Sequence, residues 1–405
     1  MQDRPNRYAW MKIVVPSMFL GVVIATIPDA ETQGPPPPPP VGGPLPGLSA
    51  ADLNRFNAGR GQFNRPHRVE DGLGPVFNGV SCIQCHAAGA PGGASPTLGV
   101  SVVRRIGGFT NGVYSDLTNV GGALLQARSL REIIPNYPLP GETVPPGPTI
   151  VGRRQTTPLF GAGLIEAIPA SSILALQDPN DANRDGISGR ANMVLNPQTG
   201  LQEPGRFGWK SQVATLLHFS GDAYLNEMGI TSPQFPLEVL PQGRPIPPGA
   251  DRVADPEDRT GNTPLVADFM RFLAPPAQLP NLSVRGRQLF TTVSCASCHT
   301  PTMTTGPNPR AALSVKQVQL YSDLLLHDMG ALADGLRQGQ ATGTEFRTAP
   351  LWGLRFRRFF LHDGRATSAD QAIRLHDGEA ALSRNRYLAL PAADRTELLN
   401  FVNGL

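Results

Sequence analysis

One ten-residue pattern occurs twice in this chain of 405 residues, and it spends scarce residues strictly. Phe77 to His86 reads FNGVSCIQCH and Phe290 to His299 reads FTTVSCASCH, both F-x-x-V-S-C-x-x-C-H. Together they use all four cysteines, and each ends in one of seven histidines. A C-x-x-C pair serves as a redox dithiol, as half a zinc site or as a haem attachment site, and the histidine that follows separates the three. In c-type attachment the two thiols become thioethers on the porphyrin vinyl groups and the adjacent histidine binds the iron. A zinc site would need the two pairs to converge, although each has its own half of the chain. A thioredoxin-like dithiol follows a strand and has no use for the histidine. A disulfide closed across two residues is strained. The pattern therefore reads as two covalently bound haem c groups, one on Cys82, Cys85 and His86, the other on Cys295, Cys298 and His299.

The rest of the chain supports an exported protein built on a repeat. Arg4, Arg7 and Lys12 precede the apolar run Ile13 to Ile27, which is short for a membrane span and normal for a signal core. Residues 1–30 read as a cleaved signal peptide, with an uncleaved N-terminal anchor as the alternative. The body of the protein is then periplasmic, touching the membrane only through that segment. Gln33 to Gly47, QGPPPPPPVGGPLPG, marks 31–48 as a stiff Pro-rich linker, so the folded part should begin near Leu48. RQTTPLF at Arg154 and RTAPLW at Arg347 follow the two motifs, and the helix pattern TPLVADFMRFLA returns as DRTELLNFVNGL at the end. This order predicts an internal duplication: an enlarged N-terminal cytochrome c-like haem domain over 49–274 and a C-terminal one over 281–405. With Pro 42 and Gly 44, the fold class is mainly α, with long Gly/Pro-rich loops and little strand. A net charge of +3 gives no argument for nucleic acid as a partner.

GLGPVFNGVSCIQCH, TTPLFGAGLIEAIP, DANRDGISGR, GRFGWK, MGITSPQFP, YSDLLLHDMG, RTAPLWGL and LHDGRATSADQAI, in this order, resemble the bacterial di-haem oxidoreductases. These are peroxidase-like proteins, sometimes labelled thiol oxidoreductases, related to di-haem cytochrome c peroxidases and the MauG enzymes. The thiol label fits badly, because haem attachment would leave no thiol here. The resemblance implies peroxide reduction at the first haem with electrons delivered through the second. It leaves two alternatives, a pure electron carrier and a MauG-like or rubber-oxygenase-like oxidation of an organic or protein substrate. It also implies a small electron donor, a c-type cytochrome or a cupredoxin, with an imelysin-like iron-uptake protein as a further partner.

In the relatives the second haem is six-coordinate, its distal ligand shortly after an HDG-like turn. That turn is Leu361 to Gly364 here, which puts His376 forward as the ligand, with Met329 competing and a surface role as the bland alternative. His327 and His362 read as hydrogen-bonding residues near the ligands or the haem propionates. After His86 no His or Met occurs for 18 residues, which implies an open first iron, with His218 as the reserve ligand. Glu166 resembles the distal glutamate by position and would shuttle protons, or is a solvated helix end. Arg104 and Arg105 would stabilise developing negative charge or pair with propionates. Trp209 and Trp352 are electron-relay candidates or plain core, with Trp352 preferred for its place in the repeated motif. Asp181, Asn183 and Asp185 form the first half of an EF-hand-type calcium loop, but Asn192 stands where the terminal Glu belongs, and an Asx-turn loop is the alternative.

Overall fold

The computed structural model describes Met1, 38–147 and 149–405. The expected export segment, apart from Met1, and residues 31–37 of the Pro-rich linker lie outside the described residues. Among these no helix is long and apolar enough to cross a membrane.

Each C-x-x-C-H motif sits beside a pair of crossed helices. In the first half, α1 (Ala50–Asn64) precedes the motif, whose cysteines form the single turn α2 (Cys82–Cys85). The chain then runs through α3 (Ala162–Glu166) and α4 (Leu216–Met228) to α5 (Asn262–Phe272), which packs on α1. In the second half, α6 (Val284–Thr292) leads into a 3-10 turn at Cys295–Ser297, α7 (Ala369–Leu375) follows, and the closing α8 (Ala392–Gly404) packs on α6. A glycine makes both crossings close. A Cβ on Gly59 would strike the Leu265 carbonyl of α5, and one on Gly286 the Glu397 carbonyl of α8. The helix crossing is therefore the same device in both halves.

The motif comparison pairs Phe77 with Phe290, but the structure pairs other rings with the histidines. Phe63 of α1 lies 6.0 Å from the His86 ring, and Phe290 of α6 lies 6.4 Å from His299. Phe77 belongs instead to a two-residue strand, Val76–Phe77, paired with Arg128–Ser129.

The architecture is mixed helix and short strand, richer in strand than the Gly/Pro content predicts. Strand β1 (Val102–Thr110) pairs antiparallel with β2 (Val113–Ser115), β3 (Leu124–Leu125) and β4 (Ile150–Gln155) in a four-stranded sheet. Val102, Val103 and Ile106 supply the β-branched residues that favour it. The end of β4 hands the chain to Gln155, whose amide donates to His362 O at 2.7 Å, tying the sheet to the second half. The ladder of β5 (Leu326–Asp328) and β6 (Glu345–Arg347) lies in that half.

Residues from Pro39 to Leu405 form one compact unit, so the fold begins earlier than Leu48. Leu45 is buried, its N–H donates to Phe272 O (2.7 Å), and Ala274 N–H donates to Gly43 O (3.0 Å). The linker's last residues thus satisfy carbonyl and amide groups left over where α5 ends. The larger core, around Phe63, Phe269 and Phe272, also takes Met303, Leu320, Leu324 and Trp352 from beyond residue 280. The smaller core gathers Phe290, Tyr321, Tyr387 and Phe401.

Candidate haem sites

Two deep cavities flank the two motifs. The first is lined by Cys82, Cys85 and His86, the second by Cys295, Cys298 and His299. In each, the chain turns from the cysteines so that the histidine amide donates back to the first cysteine carbonyl, at 3.0 Å for His86 and 2.9 Å for His299.

Both histidines are arranged as neutral ligands. His86 Nδ1 lies 3.3 Å from Gly93 O, and His299 Nδ1 lies 2.9 Å from Tyr321 O. A hydrogen on Nδ1 given to a carbonyl leaves the Nε2 lone pair for a metal and fixes the ring. Burial pushes both imidazoles down to about 4, so they are neutral at ordinary pH. Burial also pushes the thiols of Cys82, Cys85 and Cys295 up to about 12 and raises Cys298. A dithiol built for redox exchange needs the opposite shift. Zinc fails as well, because the one His/Cys/Asp/Glu group among the described residues close enough to hold a metal is Glu238, Asp251 and Glu257, away from both motifs. Paired thiols beside a fixed neutral imidazole, in largely apolar cavities, fit a c-type haem in each.

What faces the two motifs differs. In the first cavity α4 supplies part of the wall: its 3.6-residue period brings Ser220, Tyr224 and Glu227 onto one face, and Asp222 also lines the cavity. Glu227 is pushed up to about 7 by burial, against a hydrogen bond from Asn78 Nδ2 (3.1 Å) and the charge of Arg105. Burial likewise raises Asp222, against Arg105. Arg105 lines the cavity, while Arg104, its neighbour on β1, is exposed on the other face of the strand. Arg154 also lines it, with Nε on Asp334 Oδ2 at 2.7 Å.

The second cavity holds His376 and Met329 together, the two residues that compete for the sixth position. His376 Nδ1 lies 2.7 Å from Ala372 O at the end of α7, the arrangement already seen at His86 and His299. His362 lines the same cavity, stacked on Phe346 with centroids 4.3 Å apart. His327 sits between two carboxylates, Nε2 to Asp323 Oδ2 at 2.9 Å and Nδ1 to Glu379 Oε2 at 2.7 Å. Burial opposes its charge, but these bonds and the Cys298 sulfur outweigh burial and hold it well above the usual histidine range.

Four sequence expectations change. Glu166 does not line either cavity: Oε1 accepts from Leu216 N–H at 2.7 Å and Oε2 from Arg271 Nε at 2.8 Å. It caps α4 and pairs with α5, so its oxygens are spent on structure. His218 does not line the first cavity either and packs on Phe235, centroids 5.5 Å apart. Trp352 is buried in the larger core and lines neither motif cavity. Trp209 lines both, with Nε1 donating to Gln155 O at 2.7 Å. The Asp181–Asn183–Asp185 turn is exposed, and its oxygens accept from its own amides: Asp181 Oδ1 from Asp185 N–H and Asn183 Oδ1 from the same group, both 2.9 Å. That is the Asx-turn arrangement.

The residues that sequence reading missed are Asp222 and Glu227. The available signal was the presence of two carboxylates, Asp222 and Glu227, inside the helix pattern LLHFSGDAYLNEM after GRFGWK.

Residues 148–405 match the model of the family described as "Di-haem oxidoreductase, putative peroxidase", a match that starts after the first motif and includes the second. No curated protein matches the chain. Among solved structures, the chain is similar to hydrazine synthase of Kuenenia stuttgartiensis at 13% identity and TM-score 0.39, each chain covered over 100%. It is similar to the diheme peroxidase BthA of Burkholderia thailandensis at 15% identity and TM-score 0.41, over 87% of this chain and 86% of that one. A MauG-like protein associated with microbial copper homeostasis is similar at 14% identity and TM-score 0.30, over 67% of this chain and 94% of that one.

Proposed function

Given that this chain belongs to the di-haem oxidoreductase family, we propose that it attaches both haems covalently and reduces hydrogen peroxide at the His86 cavity. Electrons would enter at the His299 cavity. The reaction consumes two electrons and two protons per peroxide and yields two waters. The observation that carries this reading is the asymmetry of the cavities: a second histidine lines the cavity of His299, whereas carboxylates and Arg105 line that of His86.

When bound, the haems supply one-electron redox chemistry and an iron site for peroxide. The chain's own residues supply the rest. Cys82, Cys85, Cys295 and Cys298 fasten the two groups, and His86 and His299 orient them. Glu227 is the proton shuttle, in the place expected of Glu166: with its carboxyl near 7 it both holds and releases a proton at working pH. Arg105 stabilises negative charge developing beside it. His376 closes the second cavity against peroxide. Trp209, on the wall common to both, is the electron relay, its ring fixed through Nε1 to Gln155 O and its carbonyl accepting from Arg347 N–H at 2.8 Å.

The N-terminal pattern and the attachment chemistry support a periplasmic setting, with a small c-type cytochrome or cupredoxin as donor. A pure electron carrier is the second reading, and Met228 and Met270, both lining the first cavity, are what favour it. Stopped-flow mixing of the half-reduced holoprotein with peroxide decides between them. Oxidation of the second haem with peroxide consumed supports the enzyme, and no reaction supports the carrier.

A further inference from the structure

A third, small chamber has Trp209, Arg347 and Arg357 in its walls, residues that also line the second cavity. Arg347 is 9% exposed, with Nε on Gly208 O (2.9 Å) and Nη1 on Thr348 O (3.4 Å). Arg357 reaches Pro350 O through Nη2 at 3.5 Å, and its Nε is buried without a partner. Arg206 lines the chamber too, again with a buried Nε lacking a partner. Neither Arg347 nor Arg357 forms an ion pair with a carboxylate of the described residues.

Buried guanidinium groups with carbonyl partners alone are expensive, because the charge has lost water without gaining an anion. Burial lowers both arginines to about 10, so they remain charged at neutral pH. The ionisable neighbours form no ion pair with either arginine, although the charge of Asp323 favours the charged form of Arg347. Glu379 is spent on His327 and on Ser188 Oγ (2.8 Å), Asp323 on His327, and Arg384 on Asp377 (2.9 Å). His362, in the same cavity, is held down to about 4 by burial and is neutral. In the first cavity, by contrast, Arg154 already has Asp334.

We propose that Arg347 and Arg357 form a carboxylate clamp in the wall common to the second cavity and this chamber, and that it grips the propionates of the haem held by His299. The geometry suits the ligand, since a planar guanidinium offers parallel donors to a carboxylate. The two arginines would hold those carboxylates on the wall that Trp209 also lines. The clamp rests on the haem-binding reading above, so the test separates the two. The same donors would accept a soluble carboxylate, and the test has an arm for that source.

The experiment is a spectroelectrochemical titration of the full-length holoprotein from about pH 5 to about pH 8, with haem content measured on the same samples. In the wild type the clamp keeps the propionates ionised, so the potential of the second haem stays flat. In Arg357→Gln and Arg347→Gln it falls, because a cation that disfavours the oxidised iron is gone. It also becomes pH-dependent as the released carboxylate takes up protons. Arg357→Lys restores part of both. A chain without bound haem contradicts the haem-binding reading and the clamp together. If the glutamine variants fail to load, the wild-type profile decides, and a potential that climbs steadily as pH falls overturns the clamp. With both haems present, an unchanged flat potential in the glutamine variants also overturns it. So does a spectral shift of the second haem on adding sodium acetate to the wild type that disappears in Arg357→Gln, which assigns the chamber to a soluble acid.

Discussion

Around His86 the chain places Glu227, Asp222 and Arg105; around His299 it places His376, Met329 and two arginines without counter-charge. The helix crossing, the glycine that permits it and the phenylalanine against the ligand are common to both. The difference lies in the other lining residues, and the proposed function reads it as a division of work. Acid and base side chains suit a site where protons are moved, and a second imidazole suits one where electrons pass with little rearrangement. On that reading one motif serves two chemistries, and Trp209 is the side chain that both cavities share.

The most drastic way to break the comparison is to remove one partner. Cys295→Ala with Cys298→Ala should leave one haem per chain by mass, and Cys82→Ala with Cys85→Ala should do the same from the other side. Bound zinc in place of haem would contradict the account of both cavities.

Glu227→Gln keeps shape and loses the carboxylate, and should slow peroxide turnover by roughly a hundredfold. Glu166→Gln should leave turnover near the wild-type rate and cost about 1–2 kcal/mol of stability, read from chemical denaturation, because it weakens a helix cap and an ion pair. The reverse ranking would return the shuttle to Glu166. Trp209→Phe should slow re-oxidation of the second haem by peroxide, whereas Trp352→Phe should not; equal effects would remove Trp209's special position.

The proton on Glu227 gives a pH signature. Burial raises its carboxyl to about 7, so turnover that depends on its proton should hold below that value and fade as pH rises through it. The stability sign agrees: the fold favours the protonated carboxyl, a contribution present below the ordinary carboxylate range and lost as pH rises through about 7. Glu227→Gln should flatten both profiles. A rate profile with the same break in the variant would assign the titration elsewhere.

Legibility in the sequence followed the range of the interaction. Cys82, Cys85, His86 and their counterparts act within one turn of chain, and the spacing states the chemistry. That His376 falls in the second cavity was also readable, because the HDG turn that points to it is a local feature. Glu227 was not, because it becomes a cavity wall only when α4 docks, and docking is decided by contacts with α3, α5 and the strand Val76–Phe77, far away in sequence. Glu166 misled for the same reason: its position after TTPLF is local, but its oxygens answer to Leu216 and Arg271. The strands over 102–155 hid behind glycines and prolines that read as loop. The linker's end was misjudged because its pairing partners lie beyond residue 270.

The smallest perturbation is none at all: a low-temperature EPR spectrum of the untouched ferric holoprotein. The asymmetry of the cavities predicts one high-spin and one low-spin haem in equal amounts, with His376→Ala altering the low-spin signal alone. Two low-spin signals, with no high-spin component and none gained on half reduction, would contradict it.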